Sequence, residues 1–402
     1  MGAELIEQIL KKVNTLPPLP AAVQKLTEMT KDTETSYDEM AEVISTDEML
    51  TSRILRVANS PFYGLAQRVS TVSQAIVVLG MQGVKSIAIG VSVFGFKAGS
   101  GNTEFLKRED LWRHALGVAT GAKLLATHFE LENWEEAFVG GMLHDIGKII
   151  LMECFSAQYS EVLKAASTGA KSLQQLEQEA FGINHSNLGA EICRRWKMPA
   201  SLARMISMHH VNARTSENSI KLDHILFAVR IADNLARIAK IGNDGDPQLA
   251  ADFMPLVEAE NLKPEQLRRI LLMLPEEVEK VEVFFDLTPS VHPHPDDLAA
   301  KQVGVIIDDS RDQEIIRICL LAMGYTLALP LEILDSQKPL AGAIVDGALD
   351  PEMRKNLESR QIPIADFGLW RQENAPVDQT VQININLLQD WLAKILPKVG
   401  QN

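Results

Sequence analysis

Residues 140–151 read GGMLHDIGKIIL, an almost wholly apolar stretch in which a histidine, an aspartate and a lysine fall close together. Polar side chains are costly in such a setting unless they meet partners or a cation. An isolated His-Asp pair also arises by chance. The reading of His144 and Asp145 therefore turns on what the rest of the chain brings to the same interior.

Working outward, REDLWRHALGVATGAKLLATHF places Asp110 and His114 four apart on one helix face, which continues through Val118, Gly121 and Leu125. In KLDHILFAVRIADNLARIAK, Leu222, Leu226, Val229, Asp233 and Ala236 form one stripe, with a carboxylate on its buried side. His209 and His210 end the helix LARMISMHH, and His185 opens another in FGINHSNLGAEI. Each of these alone is explained by a hydrogen-bonded core residue. Together, five histidines with Asp145 and Asp233 make a polar core that is costly without an ion. Imidazole with carboxylate suits iron, manganese, zinc or nickel, whereas calcium and magnesium want mostly oxygens. The set His114, His144, Asp145, His185, His209, His210 and Asp233 has ligands enough for two ions. A two-ion site can activate water and clamp a phosphate. Lys148, one turn past His144, is either a cation facing such a phosphate or a solvated lysine at a helix end.

Around this centre the first part of the chain reads as helices almost throughout, broken at LPPLP, TKDTETS and NSPFYG. WEEAFVGGMLHDIGKIILM reads as one helix. AIVVLGMQGVKSIAIGVSVFGF has spanning length, but Gln82, Lys85 and several glycines favour a buried helix–turn–helix over a membrane span. DLTPSVHPHPDD is a proline-rich linker, taken as residues 286–301. Beyond it strand-like runs alternate with helices: VGVIID, DQEIIRICLLAMG, YTLALP, AGAIVD, IPIADF and NLLQDWLAKIL. That alternation predicts a small α/β domain with a parallel sheet over residues 302–402.

The 402 residues exceed what one core usually organises. A formal net charge of −14 argues against a broad nucleic-acid face, though not against a local basic patch. Cys154, Cys193 and Cys319 form no paired motif and read as reduced thiols. Glu4 and Glu7 precede Lys11 and Lys12, unlike a secretory leader. These features point to a cytoplasmic protein.

The order His114, His144-Asp145, His185, His209-His210, Asp233 resembles the HD phosphohydrolase superfamily, and the paired histidines look most like the binuclear HD-GYP phosphodiesterases. HDIGK is the signature, with LWRH, GAEICRRWKMP and RIADNL as flanking blocks. The resemblance implies that Asp110 stands where some of those enzymes carry an extra ligand carboxylate. LPPLPAAVQKLTEM, VISTDEMLTSRILRVANSPFYG and VSTVSQAIVVLGMQGVKSIAI resemble the HDOD family, the HD-related output domain of bacterial signalling, over about residues 10–285. This implies an all-α domain, its N-terminal part at 1–100 and its HD part at 101–285, that acts through signalling partners. Many HDOD proteins lack the metal ligands, and this chain keeps the set. No GYP motif follows His209-His210, so a cyclic dinucleotide substrate is not implied. Three readings stay open: a regulatory module with a metal in its core, a phosphohydrolase of a nucleotide or cyclic nucleotide, or an HD fold without metal in which the histidines hydrogen-bond to each other. In the enzyme, Asp145 would serve catalysis with the metal and Lys148 would neutralise the phosphate.

VGVIIDDS and AGAIVDGALDP resemble a response-regulator receiver domain, a doubly wound α/β fold. That implies Asp308 and Asp309 as an acidic pair for magnesium and Asp346 as phosphoacceptor. Ala365 and Asp366 stand where a hydroxyl residue is usual, and no lysine lies between Lys355 and Lys394. Pro351 comes one residue later than the pattern asks. A degenerate, unphosphorylated version is expected over a working one.

Overall fold

The structure is a computed structural model that describes residues 19–29, 36–59, 67–94, 103–131, 134–168, 170–211, 224–250, 252–259 and 261–282. Further on it describes 302–306, 310–323, 326–327, 340–345, 364–366 and 385–395, with a few single positions besides. All of NSPFYG after Asn59 and most of LPPLP lie outside the described residues, as do Asp308, Asp309 and Asp346.

By compactness the chain forms two units. The first comprises residues 1–236, 240–246 and 276–290; the second comprises 237–239, 247–275 and 291–402. The first is helical. Its helices are α1 (Ala21–Met29), α2 (Tyr37–Ser45), α3 (Glu48–Ala58), α4 (Val72–Phe94), α5 (Arg108–His128), α6 (Trp134–Leu143), α7 (Ile146–Ser167), α8 (Leu173–Phe181), α9 (His185–Arg195), α10 (Ala200–Met208) and most of α11 (His224–Ile238).

Local chemistry sets many of these boundaries. Ser36 and Glu39 form a reciprocal capping box at the start of α2, and Ser172 and Gln175 form another at α8. Asp47 caps α3 by accepting the Leu50 N–H at 3.0 Å, and Asn184 caps α9 by accepting that of Asn187, also at 3.0 Å. Gly182 closes α8 in the left-handed conformation. The apolar stretch in α4 breaks at Gly80, and its segments Val72–Met81 and Gly83–Gly90 bend by 102°. That is the turn expected between two buried helices. Among the described residues no single helix is long and apolar enough to cross a membrane; this bent pair alone has the composition.

One expectation is corrected. The segment containing HDIGK is two helices, with His144 and Asp145 in the turn between α6 and α7. Asp145 is the N-cap of α7, with φ −102° and ψ 13°, so the helical ladder is interrupted there. The apolar periodicity continues on both sides because both helices are buried. Periodicity alone cannot register such a break.

α5 packs closely on α6, α9 on both α7 and α10, and α4 on α2, α3 and α6. The core around the turn includes Leu116, Ala119, Leu143, Ile150, Leu188, Ile206 and Val229, all fully buried.

The second unit contains α12 (Phe253–Ala259) and the greater part of α13 (Pro264–Glu282). Pro275 lies inside α13, and the division between the units falls there. The unit also holds β1 (Gln302–Ile306), α14 (Ser310–Ala322), β2 (Thr326–Leu327), β3 (Leu340–Val345), β4 (Ile364–Asp366) and α15 (Ile385–Ile395). The strands form one parallel sheet in the order β2-β1-β3-β4, with Val303 opposite Gly342 and Ala343 opposite Ile364. Val303, Val305, Ala343, Ile344, Ile316 and Leu388 are buried in its core. Parallel neighbours require crossovers, and α14 follows β1 before β2.

Candidate metal centre

Three helix ends and two helix interiors deliver the polar residues to one place. His114 comes from the first part of α5, and His144 and Asp145 from the turn before α7. His185 is the first residue of α9, His209 is the C-cap of α10, and Asp233 comes from α11. His114, His144, Asp145, His185, His209 and Asp233 are all buried; His210 is half-buried. The sequence-derived ligand set therefore converges in full, and Asp233 does lie on the buried side of its helix.

Side-chain donors fall into overlapping groups, each with its atoms within 4.8 Å of one another: Asp145, His185, His209 and His210; His114, His144 and Asp233; and His114, Asp145 and Asp244. His114 Nε2 lies 3.0 Å from Asp233 Oδ1, and His144 Nε2 lies 3.2 Å from Asp145 Oδ2. His185 Nε2 and His209 Nε2 are 3.4 and 3.7 Å from Asp145 Oδ1. Asp145 thus faces several imidazoles with one carboxylate. Asp110 is in none of these groups among the described residues. Its backbone carbonyl instead accepts the Asn243 N–H at 3.0 Å.

The outer nitrogens fix the inner ones. His144 Nδ1 sits 2.6 Å from the Gly141 carbonyl, and His209 Nδ1 sits 2.6 Å from that of Ile206. His185 Nδ1 is 2.6 Å from Glu177 Oε2, which also accepts the His185 backbone N–H at 2.8 Å. A carbonyl or carboxylate partner at Nδ1 requires the proton there, which leaves the Nε2 lone pair pointing inward. Tyr159 donates its hydroxyl to Glu177 Oε1 at 2.8 Å, and both residues are fully buried.

Those inward lone pairs test the fit of a cation. His144 Nε2, His209 Nε2 and Asp145 Oδ1 are buried and meet no protein partner in hydrogen-bonding geometry. Buried polar atoms are nearly always partnered, so three orphans within these donor groups mark places for something that accepts their lone pairs. Imidazole nitrogens with carboxylates suit a divalent transition metal. The residues fit the group.

Electrostatics agree. Burial opposes charge on Asp145, but His144 and Lys148 beside it hold its carboxyl well below the usual range. Burial pushes His209 down to about 4, with Asp145 opposing this and His144 adding to it, so its imidazole is neutral and able to ligate at pH 7. Burial also disfavours charge on His144, yet Asp145 and Asp233 raise it overall. In the chain by itself His144 answers the surplus of carboxylates.

Lys148 does sit at a helix end, in the first turn of α7, but it is not solvated. It is fully buried, with Nζ 2.8 Å from Asp145 Oδ2, 2.8 Å from Asp244 Oδ2 and 3.0 Å from the Asp244 carbonyl. Asp244 was missed at the sequence level, as were Glu177 and Tyr159. Asp244 lies in KIGNDGD, a tight turn after α11 whose Gly242 and Gly245 have φ of 66° and 78°. A run of glycines and acids directly behind Asp233 was the available signal. Glu177 and Tyr159 lie in ordinary amphipathic helices and give none.

Residues 16–212 match the HDOD domain family. The chain carries an HDOD domain. The match takes in His114, His144-Asp145, His185 and His209-His210 and ends before Asp233 and Asp244. An HDOD domain protein of unknown function from Geobacter sulfurreducens is 25% identical with a TM-score of 0.57, covering 71% of this chain and 99% of that one. A proposed signal transduction protein from Marinobacter aquaeolei VT8 shares the fold at a TM-score of 0.55 and 19% identity, over 71% of this chain and 65% of its own. A Treponema pallidum (strain Nichols) protein without an assigned function is 21% identical over 216 residues, 52% of this chain; the match spans only 40% of the Treponema protein.

Proposed function

We propose that this HDOD protein is a regulatory signalling protein whose HD core holds one or two divalent transition ions, of the iron, manganese, zinc or nickel type, and which acts by binding partner proteins. The observation that carries the reading is the burial of the cluster. Of its seven proposed ligands only His210 is more than slightly exposed, while His144 Nε2, His209 Nε2 and Asp145 Oδ1 are orphaned behind it. Catalytic metal sites keep a position open to substrate, and closed ones hold a fold together. His114, His144 and Asp233 would hold one ion, and Asp145, His185, His209 and His210 the other. A bound ion supplies Lewis acidity and, here first of all, cross-linking of α5, α7, α9, α10 and α11. Glu177 keeps the proton on His185 Nδ1, and Tyr159 holds Glu177 in place.

The second reading is hydrolysis of a nucleotide or cyclic-nucleotide phosphodiester. One feature favours it: half-buried His210, whose Nε2 lies 3.1 Å from His185 Nε2, is the side from which a substrate would approach. Both readings are tested by assaying the manganese-loaded chain on cyclic and linear nucleotide phosphodiesters beside Asp145→Ala. The regulatory reading expects no turnover above the Asp145→Ala background. Turnover abolished by Asp145→Ala would establish the enzyme instead.

For the C-terminal part, we propose a degenerate receiver-like domain over residues 302–402, behind a linker at 286–301. It is supported by the all-parallel order β2-β1-β3-β4, which fits a doubly wound sheet. Asp346 follows the last residue of β3, and Asp308 and Asp309 follow β1 closely. Acetyl phosphate with magnesium is expected to leave Asp346 unlabelled.

A further inference from the structure

We propose that Lys148 is a built-in cation: its ammonium takes the third cation position of the cluster, with Asp244 as its counter-ion, and so limits the pocket to two divalent ions. The inference rests on the metal reading above. Three donor groups exist, but they are not equivalent. Each of the first two contains an orphaned imidazole, His209 in one and His144 in the other. The third, His114 with Asp145 and Asp244, already has a cation between its carboxylates, with Lys148 Nζ 2.8 Å from an oxygen of each. Its imidazole is engaged elsewhere, since His114 Nε2 is 3.0 Å from Asp233 Oδ1 but 4.0 Å from Asp244 Oδ2.

The lysine cannot readily swing away. It is fully buried, and the Asp244 backbone carbonyl holds it a second time at 3.0 Å. Asp244 is itself fixed, accepting the Asp246 N–H on Oδ1 at 3.3 Å in a turn with two left-handed glycines. A divalent ion in this third group would share both carboxylates with an ammonium, and like charges so close repel strongly in a buried site. Charge balance points the same way. When Asp145, Asp233, Asp244 and Glu177 are ionised, Lys148 and two divalent ions exceed them by one positive charge. A third ion would leave an excess of three.

The test is elemental analysis of the full chain, stripped with chelator, dialysed against manganese and freed of excess metal, with thermal unfolding measured in parallel. Lys148→Met is expected to bind one manganese more per chain than the wild type and to gain more in Tm on adding it. Asp244→Asn is expected to keep the wild-type manganese content. A folded Lys148→Met with no extra ion, or an Asp244→Asn that loses one, overturns the proposal. If Lys148→Met does not fold, Asp244→Asn decides. A wild type without manganese defeats the metal reading alone, provided that Lys148→Met then binds one ion. No manganese in any variant overturns both.

Discussion

At the scale of single residues, the site is built by breaking local rules. Asp145 occupies an N-cap position, where an aspartate ordinarily accepts a backbone N–H, yet it makes no side-chain cap. Its carboxylate faces the imidazoles instead. Such local violations are expected where function overrides folding preference. Glu177 is the clearest residue to probe, because one carboxylate oxygen receives both the N–H and the Nδ1–H of His185. Glu177→Gln is expected to weaken manganese binding by roughly 10- to 100-fold, measured by competition with a chelating dye. Unchanged affinity would remove Glu177 from the site. Lys123 offers an independent check on burial. Burial pushes it down to about 8 from the usual 10.5, against the attraction of Glu277 and Glu135, and its Nζ lies 4.8 Å from the centre of the Trp134 ring. Between these two values the unfolded chain retains a proton that the folded chain has released, so stability rises with pH through that window. Urea unfolding at pH 8 and pH 10 is expected to show this rise in the wild type and a smaller one in Lys123→Met; equal rises would contradict the shift. His114, His144 and Asp233 were legible in the sequence because each interrupts an apolar stripe, and His185 and His209-His210 because they stand at helix ends. Lys148 was legible as present but not in role, since nothing in HDIGK announces that a residue from a loop 96 positions later would cover it.

At the scale of elements, the decisive features are close approaches. A Cβ on Gly147 would collide with the backbone carbonyl of His185, so the glycine of HDIGK lets α7 meet the start of α9. Gly242 combines a φ of 66° with contact against Asp110 and His114 at the start of α5, and so seats the turn that carries Asp244. Gly147→Ala is expected to destabilise the chain by several kcal/mol, more than about 3, and to lower its metal content; an Ala variant that unfolds like wild type would refute the packing. By comparison Ser172→Ala removes only a cap and should cost about 1 kcal/mol. Helix existence was readable from periodicity throughout this unit. The break at His144-Asp145 was not, because residues 137–152 are buried on every side and continue the same apolar texture across the turn. Sequence periodicity reports which faces are buried, and here every face is.

At the scale of the whole molecule, the helical architecture and the parallel strands were both foreshadowed, the first by ordered motif blocks and the second by alternating runs. The division of the chain by compactness, which groups residues 247–275 with the strand-bearing unit, had no sequence signal beyond Pro275. A helix such as α13 reads the same whichever unit holds it. A metal that cross-links five helices of the first unit should raise that unit's stability, by about 4 kcal/mol at a free concentration a thousand times its Kd. Calorimetry is expected to show one transition moving up with metal and back after chelation. The most direct measurement of the central claim is elemental analysis of the chain purified without a histidine tag. The account predicts one or two equivalents of iron, manganese, zinc or nickel per chain, lost in Asp145→Ala; a wild type with none of these above background would contradict it.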